Sequence, residues 1–475
     1  MLRMVEQINN LTTEVGVVGA TAMDLCHGAA GGGTYALNQA GATVVGGCEK
    51  DRQRHQQYTA LHGEGTECMD VVEYVLLWAT LGGPPVALML LCAPCQCFMT
   101  LGTAHPLGAH DSRECVLPTI KALVSLKPHQ RPESIVIENT PLIQSWGGGC
   151  LYDDVADHLF AMGYLMVLCM VKADGFGLAA KRKRLYTVAL PNQGALERFA
   201  THLPQASGVC GRFVDVSSKD VHLWGVEGLR VDMGSLLHAM TGRCSLESMF
   251  CVVSCHYRQA VNTIITRGGD SKGLGYGTYV LLTHDAEPYW STRFTAAMLR
   301  EPEHRGLQVR TLTCAELCLL QGSPIDTTSV HGEGKPAHAA WGEAVAVPCA
   351  AEVCKSVLLA TRRVPVQRTG GSSVLSLGHP LEWNTVGRDH PQRVMKLKIG
   401  YAVVPVNAPA PISASLLQPR AQVPHRPQAC KEGLQETAAP ASAQARSPQV
   451  HHCTIPWLPW ALHQPTTHHA CLARH

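Results

Sequence analysis

The chain has almost no net charge: 39 Lys and Arg against 37 Asp and Glu among 475 residues leave a formal +2. A global attraction to nucleic acid or to an anionic membrane is thereby excluded, so any basic surface must be local. No apolar run is long enough to span a bilayer, and the N-terminus lacks the charged-then-apolar pattern of a secretory signal. Aromatic residues are scarce at 5%, although a hydrophobic content of 46% is that of a globular protein. Regular cysteine spacing is missing as well. Twenty cysteines without a framework or a secretory context point to reduced thiols inside a cell. These absences predict a soluble intracellular chain, nuclear in a eukaryote and otherwise cytoplasmic, and the length predicts two or three domains.

What is present is an α/β alternation. An apolar strand at Ala20 to Leu25 runs into a glycine cluster with Gly28, Gly31, Gly32 and Gly33, then a helix-like stretch to Ala40. A second strand, ATVVGGC, ends in Glu49. Glycines let a backbone pass close to a ligand, and an acid at the end of the next strand can take two ribose hydroxyls. A nicotinamide site, an S-adenosylmethionine site and a plain structural turn all share this pattern. Asp70, in TECMDV, is placed either to end a third strand and meet an adenine amino group or simply to cap a helix.

The run VALMLLCAPCQCF (86–98) stops at a proline, as a buried parallel strand does when it enters a loop. Chemistry in open α/β sheets gathers beyond the carboxyl ends of strands, which makes Cys95 a candidate nucleophile, although most free cysteines are inert core residues. Val116, Ile120, Leu123 and Leu126 recur at helical spacing, with Pro128 just beyond. Ser134 to Ile137 repeats the strand pattern and ends in Glu138 and Asn139. Two parallel strands would bring Glu138 and Cys95 to one sheet edge. There a carboxyl beside a thiol is costly to bury without a purpose.

Two further strands flank Lys181, Arg182, Lys183 and Arg184, a basic turn that on its own reads as a solvated hairpin. From about 191 the alternation is lost. Thr313 and Gly322 predict the start and stop of a helix, and GEAVAVPCAAEVCKSVLLA a last core helix. From 365 onward Pro, Ala, Gln, Ser and His predict a disordered tail, whose His and Cys residues match no closed zinc module, so no metal site is expected.

Together these segments resemble the C5-cytosine-specific DNA methyltransferase family over most of residues 20 to 362, block by block and in order: MDLCHGAAGG, CEKD, APCQCF, DSRECVL, IENTP, KRKRLYTV, TRGG with RTLTCAELCLLQGSP, and WGEAVAVP. The resemblance implies a class I S-adenosylmethionine-dependent, Rossmann-like core over 15–190. It implies a smaller, irregular target-recognition domain over 191–325 and a helix over 335–362 returning to the core, ahead of the tail at 365–475. Cys95 would be the nucleophile at cytosine C6, Glu138 the partner of N3, and Arg182 and Arg184 the groups that orient the base. Asp24, Gly28, Gly31, Gly32, Glu49, Asp70, Pro94, Val116 and Glu343 would hold S-adenosyl-L-methionine. Gln96, Asn139 and Arg267 would meet double-stranded DNA, with the target base flipped out, and the chain would act as a monomer.

The chain departs from the family's pattern at five places. Cys26 stands where an aromatic stacks on adenine, and the glycine loop has an extra residue near Ala30. Met99 replaces a serine, Ala180 a glutamine, and Glu343 an asparagine at the cofactor's amino-acid end. A degenerate, non-catalytic binding protein is therefore the competing reading. A tRNA cytosine-5 methyltransferase is another, although the Cys-Phe-Thr tripeptide of that branch is missing.

Overall fold

The protein is described here from a computed structural model covering residues 19–98, 111–202 and 308–361, with 298, 301 and strand segments at 230–231, 250–253, 277–282, 293–294, 382–386 and 392–399. Met99 and Arg267 lie outside these residues.

In chain order the first half runs β1 (Ala20–Leu25), α1 (Gly32–Gln39), β2 (Ala42–Cys48), α2 (Arg52–His62), α3 (Val71–Thr80), β3 (Leu88–Leu91) and α4 (Val116–Ser125). It continues with β4 (Ser134–Asn139), α5 (Cys150–Ala161), β5 (Leu165–Lys172), β6 (Lys183–Leu190) and α6 (Gln193–Thr201). Short strands follow: β7 (Arg230–Val231), β8 (Phe250–Val253), β9 (Gly277–Leu282), β10 (Arg293–Phe294) and β11 (Gln308–Thr311). After them come α7 (Cys314–Gln321), α8 (Thr328–His331), α9 (Lys335–Glu343), α10 (Val347–Ala360), β12 (Glu382–Val386) and β13 (Gln392–Ile399).

Eight strands form one sheet in the order β12-β13-β5-β6-β4-β3-β1-β2. β1, β2, β3 and β4 are mutually parallel, and β6 lies antiparallel between β4 and β5. Each central strand is covered on both faces, so its residues split by parity. Met89 and Leu91 of β3 face a core with Tyr74 of α3, Ile120 of α4 and Leu151 of α5. Leu88 and Leu90 face the opposite core, with Leu37 of α1, Phe199 of α6 and Val353 of α10. A leucine or valine buried this fully contributes roughly 1.5–3 kcal/mol. The arrangement is the expected class I methyltransferase-type α/β fold, and it sends the ends of β1, β2, β3 and β4 out of a single edge.

The remaining strands pair as a second sheet, β10-β8-β9-β11-β7. Its limits are narrower than the 191–325 expected from the sequence. α6 packs Ala195, Leu196 and Phe199 into the main core. α7 packs Leu317 and Leu320 against Ala29, Ala30 and Trp341, so the extra residue of the glycine loop is taken up as apolar packing. β11 joins α7 through a buried weld. Arg310 donates to both carboxylate oxygens of Glu316 at 2.7 Å, and Thr313 and Glu316 form a reciprocal capping box.

Three further expectations are corrected. The strand before Asp70 shrinks to a single bridge between Cys48 and Glu67, and Asp70 caps α3 by accepting from the Val72 N–H. The last core helix is two helices, because Ala344 to Ala346 is extended and Pro348 opens α10. The tail expected to be without regular structure contains β12 and β13, and β13 extends the main sheet beside β5.

Candidate active site

The loop that follows β3 is fastened at both ends. Asn139, at the end of β4, donates to Ala93 O at 3.3 Å and accepts from the Thr140 N–H. Asn139 thus ties two strand ends together with one bond from its amide nitrogen and one to its amide oxygen. On the far side Cys97 and Phe98 are buried in the core, and the Phe98 N–H closes a turn on Cys95 O. Pro94, Cys95 and Gln96 between them remain partly accessible.

β3 and β4 run in register, with Leu91 opposite Ile137, so Cys95 and Glu138 emerge together as expected. Because β6 is antiparallel, its beginning lies at the same edge, with Asn139 opposite Leu185 and Glu138 opposite Tyr186. The basic turn is therefore not a solvated hairpin. Exposure alternates along it: Lys181 and Lys183 face solvent, while Arg182 and Arg184 are buried at 3% and 9% exposure. Arg184 Nε stands 3.1 Å from Glu138 Oε1, and Arg182 Nη2 stands 3.9 Å from the same oxygen. Glu138 Oε1, Arg182 Nε and Arg184 Nε are buried without a hydrogen bond. Buried polar atoms left this way are expensive, and three converging beside a thiol mark a place for a polar ligand.

Burial pushes the Cys95 thiol above its ordinary pKa, Arg184 pulls it down, Glu138 pushes it up and Arg182 pulls it down. Arg182 has a second duty. It donates to Ala344 O at 2.7 Å and to Gly342 O at 3.5 Å, closing the carboxyl end of α9.

The second half of the site lies at the ends of β1 and β2. Glu49 holds its carboxylate on two backbone donors, Gly28 N at 3.2 Å and Asp51 N at 2.9 Å. This fixes it with acceptor capacity to spare for vicinal hydroxyls. Gly28 and Gly31 adopt positive φ of 65° and 60°, and a Cβ on Gly32 would press against Val345 at 3.1 Å. The glycines are thus needed for a close approach of backbone to ligand and of the 343–346 segment to the loop. Asp24 is fully buried and bonded to the Thr34 hydroxyl at 2.8 Å, its pKa raised to about 7 by burial. It supports the loop from beneath. Val116 is likewise buried, as the first residue of α4.

Cys26 adopts a left-handed φ of 58°, and its Sγ lies 3.8 Å from Cys115 Sγ. Glu343 is ion-paired with Arg54 (Nη1 to Oε2 2.7 Å, Nη2 to Oε1 2.9 Å) and accepts from Gln96 Nε2 at 3.0 Å. Gln96 is therefore engaged inside the protein. Arg54 carried no sequence signal, since its partner lies 289 positions away. Cys314, Cys318 and Asp326 also bring three ligand-type atoms within 4.8 Å of one another, but the Thr327 hydroxyl already contacts both thiols.

A family model for C-5 cytosine-specific DNA methylases matches residues 20–358. Type II methyltransferase M.NlaX of Neisseria lactamica is 25% identical over 305 residues, which are 63% of this chain and 83% of that protein. Type II methyltransferase M.NgoBI of Neisseria gonorrhoeae is 27% identical over 165 residues, 33% of this chain and 47% of that one. Among solved structures, the Entamoeba histolytica methyltransferase EhMeth superposes with a TM-score of 0.54 at 15% identity, covering 71% of this chain and 98% of its own. The S. pombe Dnmt2 methyltransferase superposes at 0.53 and 17%, with the same coverage. At these identities the two superpositions speak for the fold.

Proposed function

The chain belongs to the C-5 cytosine-specific DNA methylase family and transfers a methyl group from S-adenosylmethionine to cytosine C5 in DNA; on that premise we propose which residues do so. The observation that carries the assignment is the convergence of Arg184 and Arg182 on one buried carboxylate oxygen of Glu138, which makes no hydrogen bond, beside Cys95. Cytosine C5 is too weak a nucleophile to be methylated directly. Cys95, as thiolate, adds to C6, which breaks the C5–C6 double bond and makes C5 enamine-like. Glu138 bonds N3 and the exocyclic amine, and Arg184 orients the base and offsets the charge that develops. Arg182 positions this pair while closing α9. After C5 has taken the methyl group, loss of the C5 proton and departure of the Cys95 sulfur restore the ring and the thiolate.

S-adenosylmethionine supplies an electrophilic methyl group. The residues at the ends of β1 and β2 fit it: Glu49 for the ribose hydroxyls, with Gly28, Gly31 and Gly32 as the backbone cradle. The target atom is hidden in a duplex, so the base must leave the stack at a cost of a few kcal/mol. The second sheet is assigned to reading the flanking bases in the major groove. The chain is assigned to act as a monomer. No helix among the described residues is long and apolar enough to cross a membrane, and working thiols suit a reducing intracellular compartment. Duplex DNA containing 5-fluorocytosine should trap the wild-type protein as a denaturation-resistant adduct only when donor is present. Equal trapping by Cys95→Ser would sink the assignment.

A further inference from the structure

The departure at Glu343 brings with it a partner from elsewhere in the chain. Arg54, on the first turn of α2, meets Glu343 two-to-two, with both guanidinium ends on both carboxylate oxygens at 2.7 and 2.9 Å. The pair is not a core fixture. Its side chains are 39% and 21% exposed, so the pair is partly buried but within reach of a ligand. Its place is fixed on three sides. Val345, two residues on, presses against Gly32 at the start of α1. Burial, and then the nearby Glu49, push the Glu343 carboxyl above its ordinary pKa, against the pull of Arg54. Gln96 of the Cys95 loop reaches the same Oε1. The pair therefore stands between the glycine loop, the ribose acid and the nucleophile loop.

We propose that Arg54 and Glu343 form a clasp for a zwitterionic amino-acid group, Arg54 taking the α-carboxylate and Glu343 the α-ammonium at the methionine end of the methyl donor. This rests on the donor assignment made above. Each residue gives up an opposite charge and receives one, so the charges remain paired throughout. A neutral amide at position 343 would supply no such counter-charge. The arrangement also makes Gln96 and the ammonium compete for one carboxylate oxygen, which ties filling of the donor site to the loop that carries Cys95.

Titration calorimetry with two ligands separates the alternatives. S-adenosylhomocysteine carries the zwitterion, and 5′-methylthioadenosine is the same nucleoside thioether without it. Arg54→Gln and Glu343→Gln should each weaken S-adenosylhomocysteine about tenfold or more, as loss of a charge-assisted hydrogen bond does. Both should bind 5′-methylthioadenosine within about twofold of wild type. Decarboxylated S-adenosylhomocysteine should feel the loss of Glu343 and be indifferent to the loss of Arg54. Parallel weakening of all three ligands would mean that the pair merely shapes the pocket, and unchanged S-adenosylhomocysteine binding would mean that it never meets the ligand. Either result overturns the clasp. Wild-type protein that binds none of the three overturns the donor assignment itself.

Discussion

The two halves of the site solve the same problem, charge beside a ligand, in opposite ways. On the base side, Glu138, Arg182 and Arg184 are buried and leave atoms without hydrogen bonds. On the donor side, the charged pair Arg54 and Glu343 is partly open to water and internally satisfied. Buried unsatisfied atoms hold their geometry for a reaction, at a cost in stability, whereas satisfied ones within reach of a ligand can exchange one partner for another. The chain departs from the family's pattern on both sides, at Met99 and Ala180 near the base and at Cys26 and Glu343 near the donor, but only at Glu343 is a charge added.

The sharpest way to break this contrast is Cys95→Ala. Methylation and adduct formation should vanish, while S-adenosylhomocysteine binding measured by calorimetry stays at the wild-type value. A loss of both would mean that the halves are not separable. Glu138→Gln should lower single-turnover methylation by roughly 10²–10⁴-fold, the usual worth of a positioned acid, again with donor binding intact. Arg184→Gln acts through Cys95. Burial holds that thiol above its ordinary value and Arg184 is the foremost group opposing it, so removing the cation drives the thiol further up. Alkylation of Cys95 by iodoacetamide should then need a more alkaline solution, with a rate near pH 7 down about tenfold if the midpoint moves by one unit. An unmoved pH profile would remove Arg184 from the thiol's surroundings.

The last effect belongs to Asp24 and is one of stability, not of chemistry. Its folded pKa of about 7 lies above that of an unfolded Asp, near 4. The proton is held more tightly in the folded state. The stability this gives is full below about pH 4 and is lost as pH rises to about 7, up to roughly 4 kcal/mol over the whole range. Asp24→Asn should flatten that decline, so melting temperatures of mutant and wild type should diverge between pH 5 and 8. Parallel melting curves across that range would rule it out.

Local features were legible in the sequence wherever one element determines them. Thr313 and Gly322 delimit α7 as expected, with Glu316 completing the cap. The apolar spacing from Val116 marks α4, and the strands before Cys95 and at Glu138 end at one edge. What was missed depends on distance or on averaging. No periodicity links Arg54 to Glu343. Arg182 and Arg184 were singled out only by the family resemblance, because four consecutive basic residues on their own read as a solvated turn, whereas an alternation of period two buries every second one. Within the supposed tail, Met395-Lys396-Leu397-Lys398-Ile399 alternates apolar and basic residues, the signature of a strand. Composition taken over more than a hundred residues concealed it. Asp70 was weighed as a strand end or a cap, and one of its carboxylate oxygens caps α3.

One oxygen joins these parts. Ala344 O accepts from Arg182 Nη2 at 2.7 Å on one side and from Gln321 Nε2 at 3.2 Å on the other. Gln321 ends α7, the helix that Arg310 and Glu316 weld to β11 of the second sheet. In mechanical terms the carbonyl is a pin through two levers, one reaching the surface assigned to DNA and the other the guanidinium beside Glu138. The second sheet and the guanidinium beside Glu138 thus meet through α7 at one backbone atom.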